Sequence, residues 1–311
     1  MSPKKSQNKI DMFSLRTKGL IILEKIKSSN LLRFSLTIIS FIYPLALMFL
    51  SWQEITEIDK IQFSTIILLA VLYLISFLLQ LINWLLILRQ SLKKKYFDIK
   101  IYLKTILMQR LPGGFWHWVG RVNLYTGSKE VKTNTAIDAS VFERVALILT
   151  GFSTYILVNN TLLGILSFSV ILVLFYFWRR SKNKSNLHKI LYPTINIMLY
   201  LICWLLAGAI LFYVINSIDN ISNIPLTKSI SIWALTGSIS LVFFFLPGGI
   251  GVKEISLTTL LIPYTSFAQA ILVAFALRML ALIMDLLISI LGLLIINLIS
   301  KYNKDPLKNG L

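Results

Sequence analysis

Long apolar runs alternate with short basic clusters along this chain. Six runs are long enough to cross a hydrocarbon core of about 30 Å as helices. They cover residues 34–52, 63–88, 136–158, 161–178, 195–214 and 269–299. Two more apolar runs are interrupted by proline and glycine. One covers 101–120 around Leu111-Pro112-Gly113-Gly114, and the other 229–252 around Leu246-Pro247-Gly248-Gly249. Each reads either as a poor span or as a re-entrant hairpin that returns to its own side.

Charge decides between these readings. Excess Lys and Arg mark cytoplasmic loops. The segment 1–33 has eight basic and two acidic residues, which places it inside. Within it, Ile22, Leu23 and Ile26 share a helical face flanked by Lys18, Lys25 and Lys27. That face suits an interfacial helix on an anionic leaflet, or an ordinary positive flank. The acidic loop 53–60, with Glu54, Glu57 and Asp59, is outside. Loops 89–100 and 179–189 are strongly basic and inside; 215–228 is outside, and the tail with Lys301, Lys304 and Lys308 is inside. Parity between these loops is kept only if both broken runs turn back. The first then enters from the cytoplasm and the second from the opposite face.

The expected fold is therefore all-α, a polytopic membrane helix bundle of about six spans plus two re-entrant helical hairpins. Residues 1–33 form a basic cytoplasmic segment, 34–299 a single membrane domain and 300–311 a tail. The basic leader before the first run is too long for a signal peptide and no small-residue cleavage site follows, so that run is expected to be retained. The chain also repeats itself. The two Leu-Pro-Gly-Gly motifs lie 135 residues apart, and Arg144 and Arg278 follow them at 33 and 32 residues. The halves 34–158 and 161–299 each read span, span, broken hairpin, span. Three spans is an odd number, so the second half sits inverted, a recurrent transporter plan.

Composition agrees. Of 311 residues, 56% are apolar and only 14% charged, against about a quarter charged in soluble domains. The formal charge of +18 would suggest nucleic acid in a soluble protein. Here the basic residues sit at the ends of apolar runs, which reads as topology and contact with anionic lipid headgroups, not nucleic acid. Cys203 is the single cysteine, and it lies with His117 and His188 in no metal-ligand spacing. No metal and no cofactor are expected.

The candidate chemistry sits at the broken runs and inside the spans. Pro112 and Pro247 each remove a backbone donor, and Gly113, Gly114, Gly248 and Gly249 allow a tight turn and close approach by a ligand. Exposed amides at such turns can bind an anion such as phosphate. Arg110 and Arg121 flank the first motif, and Lys253 and Glu254 follow the second. Glu143 and Arg144 lie inside one span; Arg278 and Asp285 lie seven apart inside another. A charge at the centre of a spanning helix costs about 2.5–3.5 kcal/mol on insertion scales, so such residues face a bundle interior. They can pair structurally or line a route for a charged headgroup.

The pattern Arg110-Leu-Pro-Gly-Gly, Gly120-Arg121, Glu143-Arg144, then Pro247-Gly-Gly-Ile-Gly-Val-Lys-Glu254 and Arg278 resembles the membrane domain of lysylphosphatidylglycerol synthases. It also resembles the stand-alone flippase-like proteins of that family. The resemblance runs from about residue 30 to 300. The first motif departs from the family at Phe115-Trp116-His117-Trp118, where smaller residues are common. The resemblance implies movement of a lipid between leaflets of the inner (cytoplasmic) membrane. It carries no soluble aminoacyl transferase domain up to Leu311, so that chemistry is not expected. Two alternatives stand beside a translocase of anionic or polyprenyl-linked lipids. One is a membrane glycosyl or aminoacyl transferase. The other is a non-catalytic partner of a cell-envelope biosynthesis enzyme. A homo-oligomer is compatible with each.

Overall fold

The computed structural model describes Phe49 and residues 62–88, 95–109, 116–128, 133–180, 186–218, 224–243 and 252–302. The expected span 34–52, the segment 14–33 and both Pro-Gly-Gly turns, with Arg110, Pro112, Gly113, Gly114, Pro247, Gly248 and Gly249, lie outside the described residues.

Nine helices and no strands occur among the described residues. In chain order they are α1 Phe63–Leu88, α2 Lys95–Gln109, α3 Trp116–Ser128, α4 Thr133–Asn159, α5 Thr161–Arg180, α6 Asn186–Asn216, α7 Leu226–Val242, α8 Val252–Leu261 and α9 Phe267–Tyr302. Stretches of α1, α4, α6 and α9 are long and apolar enough to cross a membrane, with mean hydropathies of 2.6, 1.6, 2.4 and 2.8. α4, α6 and α9 run past the hydrocarbon limits read from sequence. α6 starts at Asn186, inside the basic loop, and holds Pro193 within it. Hydropathy marks only the part of a helix that lipid must solvate, whereas backbone hydrogen bonding continues into the interface.

The four helices around the broken runs are shorter. α2, α3 and α8 have 15, 13 and 10 residues. At 1.5 Å per residue none reaches about 30 Å. α7, with 17 residues, lies at the lower limit. It is also buried: it packs between α4 and α6, and Ser229, Ser231, Ala234, Thr236 and Ser238 are covered. Apolar side chains gain nothing by leaving lipid for another helix, so small residues that admit close backbone approach favour such packing.

Glycines set that approach. A Cβ on Gly208 of α6 would lie 2.5 Å from the Cα of Ile230 in α7. Gly151 of α4 and Gly237 of α7 clasp the ring of Trp204; a Cβ on Gly237 would lie 2.5 Å from it. Gly208→Val is expected to force α6 from α7 and cost about 1–3 kcal/mol. A lowered thermal midpoint of the purified variant in detergent would register it.

α1 and α6 run antiparallel. Asn83 and Asn196 exchange side-chain and backbone hydrogen bonds, and seven residues along, the Cys203 thiol reaches the carbonyl of Ser76. The hydrophobic interior is divided. One cluster joins Trp84, Tyr102, Tyr125, Phe142 and Phe175 from α1 to α5. The other joins Leu211, Ile215, Leu257, Leu261 and Val273 from α6, α8 and α9. The outward faces are apolar as well: Leu162, Leu166 and Val173 on α5 are each more than half exposed. Exposed apolar surface on this scale needs a cover, and lipid supplies it in a helical membrane bundle.

Candidate functional site

A cavity of about 300 Å³ is lined by residues of α1, α2, α3, α4, α6, α7, α8 and α9. Its ionisable lining is Arg144 from α4, Lys253 from α8, Asp285 from α9 and His117 from α3. Tyr73 and Gln80 of α1 add polar groups.

The broken runs deliver two of these residues in the same way. α3 begins at Trp116 and α8 at Val252, each just after a Pro-Gly-Gly motif in the sequence. His117 and Lys253 are the second residues of those helices, and both reach the one cavity. The first turn of a helix carries unpaired N–H groups and the positive end of its dipole. Two such ends beside a polar cavity favour negative charge within it.

The cations rest on aromatic faces. The Arg144 guanidinium carbon lies 3.8 Å from the centroid of Trp118, and Lys253 Nζ lies 4.1 Å from that of Trp233. Such contacts hold a cation in place against an aromatic face. Asp285 is 3% exposed and accepts a 2.6 Å hydrogen bond from the Tyr73 hydroxyl. Among the described residues, the formal balance of the lining is two permanent cations against one carboxylate, with His117 in addition.

The other predicted residues are arranged differently. Arg121 is 2% exposed and does not line the cavity. It donates to Glu143 across 2.7 Å and to Thr105 across 3.3 Å, and it lies over the rings of Trp84 and Tyr102 at 4.1 and 4.6 Å. This arrangement fastens α3 to α4 and to α1 and α2. Arg278 pairs with Glu254 at 2.5 Å and fastens α9 to α8. Arg278 and Asp285, seven apart on α9, are placed differently: Asp285 lines the cavity and Arg278 borders a separate groove.

Each adjacent charge doublet is thus split. In Glu143-Arg144 and in Lys253-Glu254 the acid forms an ion pair with the neighbouring helix and the cation lines the cavity. Successive helical residues point about 100° apart, so one doublet serves two faces. Sequence reasoning passed over Tyr73, Gln80 and Trp233. The signal available was a hydroxyl and an amide inside a run otherwise solvated by lipid. The chain matches no protein-family model, no curated protein and no solved structure, so the chemistry of this cavity is read from its own residues.

Proposed function

We propose that this chain is a lipid translocase of the flippase-like kind, and that it moves an anionic phospholipid or polyprenyl-linked lipid between leaflets. In this reading it lies in the inner membrane with both termini cytoplasmic, and its substrates are lipids with anionic headgroups. The observation that carries the proposal is the shared cavity. The first turns after both Pro-Gly-Gly motifs bring His117 and Lys253 to it, beside Arg144. At about 300 Å³ it falls at the small end of ligand pockets, room enough for a phosphate-bearing headgroup. Arginine can then hold phosphate oxygens in a bidentate way and lysine as a point charge.

The inverted repeat is part of the proposal, and the packing pattern supports it. If α1, α2, α3 and α4 correspond to α6, α7, α8 and α9, then helix pairs recur in both halves. α4 on α7 corresponds to α2 on α9, α3 on α4 to α8 on α9, and α1 on α2 to α6 on α7. Individual contacts recur too. The Tyr73 hydroxyl meets Asp285, and Trp204 Nε1 donates to Thr150 across 3.2 Å. Trp204 follows Tyr73 by 131 residues and Asp285 follows Thr150 by 135, close to the spacing of the motifs. The antiparallel pairing of α1 with α6 is the arrangement an inverted repeat requires. Such repeats place their substrate at the interface between halves, near broken helices. The resemblance to the membrane domain of lysylphosphatidylglycerol synthases leads to the same activity.

Lipids retained through purification test the ligand chemistry. Mass spectrometry of the extract is expected to show anionic phosphate-bearing lipids enriched over the host membrane, with the enrichment lost in Lys253→Ala. Retained lipid that mirrors the bulk membrane in both proteins would refute the proposal.

A further inference from the structure

A second cavity, of about 170 Å³, lies between α8 and α9. Thr258, Ile262, Ile271, Ala274 and Phe275 form its floor and walls, and the Glu254–Arg278 ion pair closes one end. Its rim opens outward, since Ile255, Ile262 and Phe267 are each about half exposed. It lies against α9, whose spanning stretch has the highest mean hydropathy of the four.

This groove shares a wall with the central cavity. On α8, Lys253 faces the cavity and Glu254 the groove. On α9, Leu277 and Ala281 face the cavity while Ala274 and Arg278 face the groove. The two spaces lie on different faces of α8 and α9. The groove is apolar along its length and charged at one end, and that end adjoins the cation of the cavity. A phospholipid has the same polarity: an apolar chain joined to a charged head.

We propose that the α8–α9 groove binds one acyl chain of a membrane phospholipid, with the Glu254–Arg278 end directing its headgroup toward Lys253. The first half of the statement stands on the groove itself; the second rests on the proposed translocation. A helix of another protein or a second copy of this chain would be the competing occupants.

The test uses phosphatidylglycerol carrying a diazirine in one acyl chain, in phosphatidylcholine liposomes that hold the full chain. After illumination, adducts are mapped by peptide mass spectrometry, and translocation is measured in the same liposomes. Adducts are expected to concentrate on Thr259, Ile262 and Phe275. Filling the groove by Thr259→Trp, from its exposed side, is expected to lower their yield about tenfold; Ala274→Phe, from the buried side, should do the same. Adducts spread evenly over other exposed faces, such as Leu162 and Val173 of α5, would overturn the proposal. So would labelling unchanged in both filled variants, or cross-links to a second protein chain at the groove. Groove-specific adducts without any translocation would uphold the acyl-chain site and overturn the proposed function instead.

Discussion

Arg121→Ala is expected to lower the stability of the protein by about 3–5 kcal/mol, the cost of leaving one member of a buried ion pair behind. Glu143 is 8% exposed and would lose the guanidinium that lies 2.7 Å away. The rings of Trp84 and Tyr102 would lose the cation stacked on them, for roughly a further 0.5–2 kcal/mol. Unfolding in mixed micelles, followed by helical circular dichroism, measures the loss. Replacing both partners, Arg121→Met with Glu143→Leu, is expected to recover most of it, because two apolar side chains of similar volume need no compensation. The pair is structural in this account, so translocation should return with stability in the double variant. A stable double variant that does not translocate would put Arg121 or Glu143 back on the lipid route.

Arg144→Ala is expected to do the reverse: little loss of stability, large loss of transport. The residue gives a cavity wall its charge and rests on the face of Trp118. A hydrogen bond to a charged group contributes about 1.5–3 kcal/mol. If that bond forms with the headgroup in the crossing state, translocation slows roughly 10- to 150-fold. Arg144→Lys should keep part of the rate, since it preserves charge and forfeits the bidentate fork. Lys253→Ala is expected to act in the same direction, and the two losses should compound because the residues come from different halves of the chain. Equal transport by wild type and Arg144→Ala, measured in proteins of equal stability, would remove the cavity from the mechanism.

Much of this was legible in the sequence. The run 63–88 coincides with α1, and shorter helices flank each Pro-Gly-Gly motif in the sequence, α2 and α3 the first, α7 and α8 the second. Lipid imposes that legibility: a spanning segment must be apolar throughout, and proline and glycine interrupt it visibly. The charged residues inside spans were also identifiable, because each is costly and needs a reason.

Their division of labour was not legible. Glu143 and Arg144 are neighbours in sequence, and hydropathy says nothing about the rotation of α4 about its axis. That rotation turns Glu143 to Arg121 and Arg144 to the cavity. The same holds for Lys253 and Glu254 on α8. Arg278 and Asp285 lie seven apart in one span, yet α8 covers Arg278 and α1 covers Asp285. Which helix lies against which turn of α9 is a tertiary fact. The role of Tyr73 was hidden for a simpler reason: a tyrosine in a span reads first as an interfacial anchor.

The central claim is tested most directly by dithionite quenching of fluorescent phosphatidylglycerol in liposomes that contain the purified chain. With wild type, inner-leaflet lipid is predicted to reach the outer face and be quenched, while Arg144→Ala combined with Lys253→Ala leaves it protected as in protein-free vesicles. Wild-type liposomes that protect their inner leaflet as fully as protein-free ones would contradict the account.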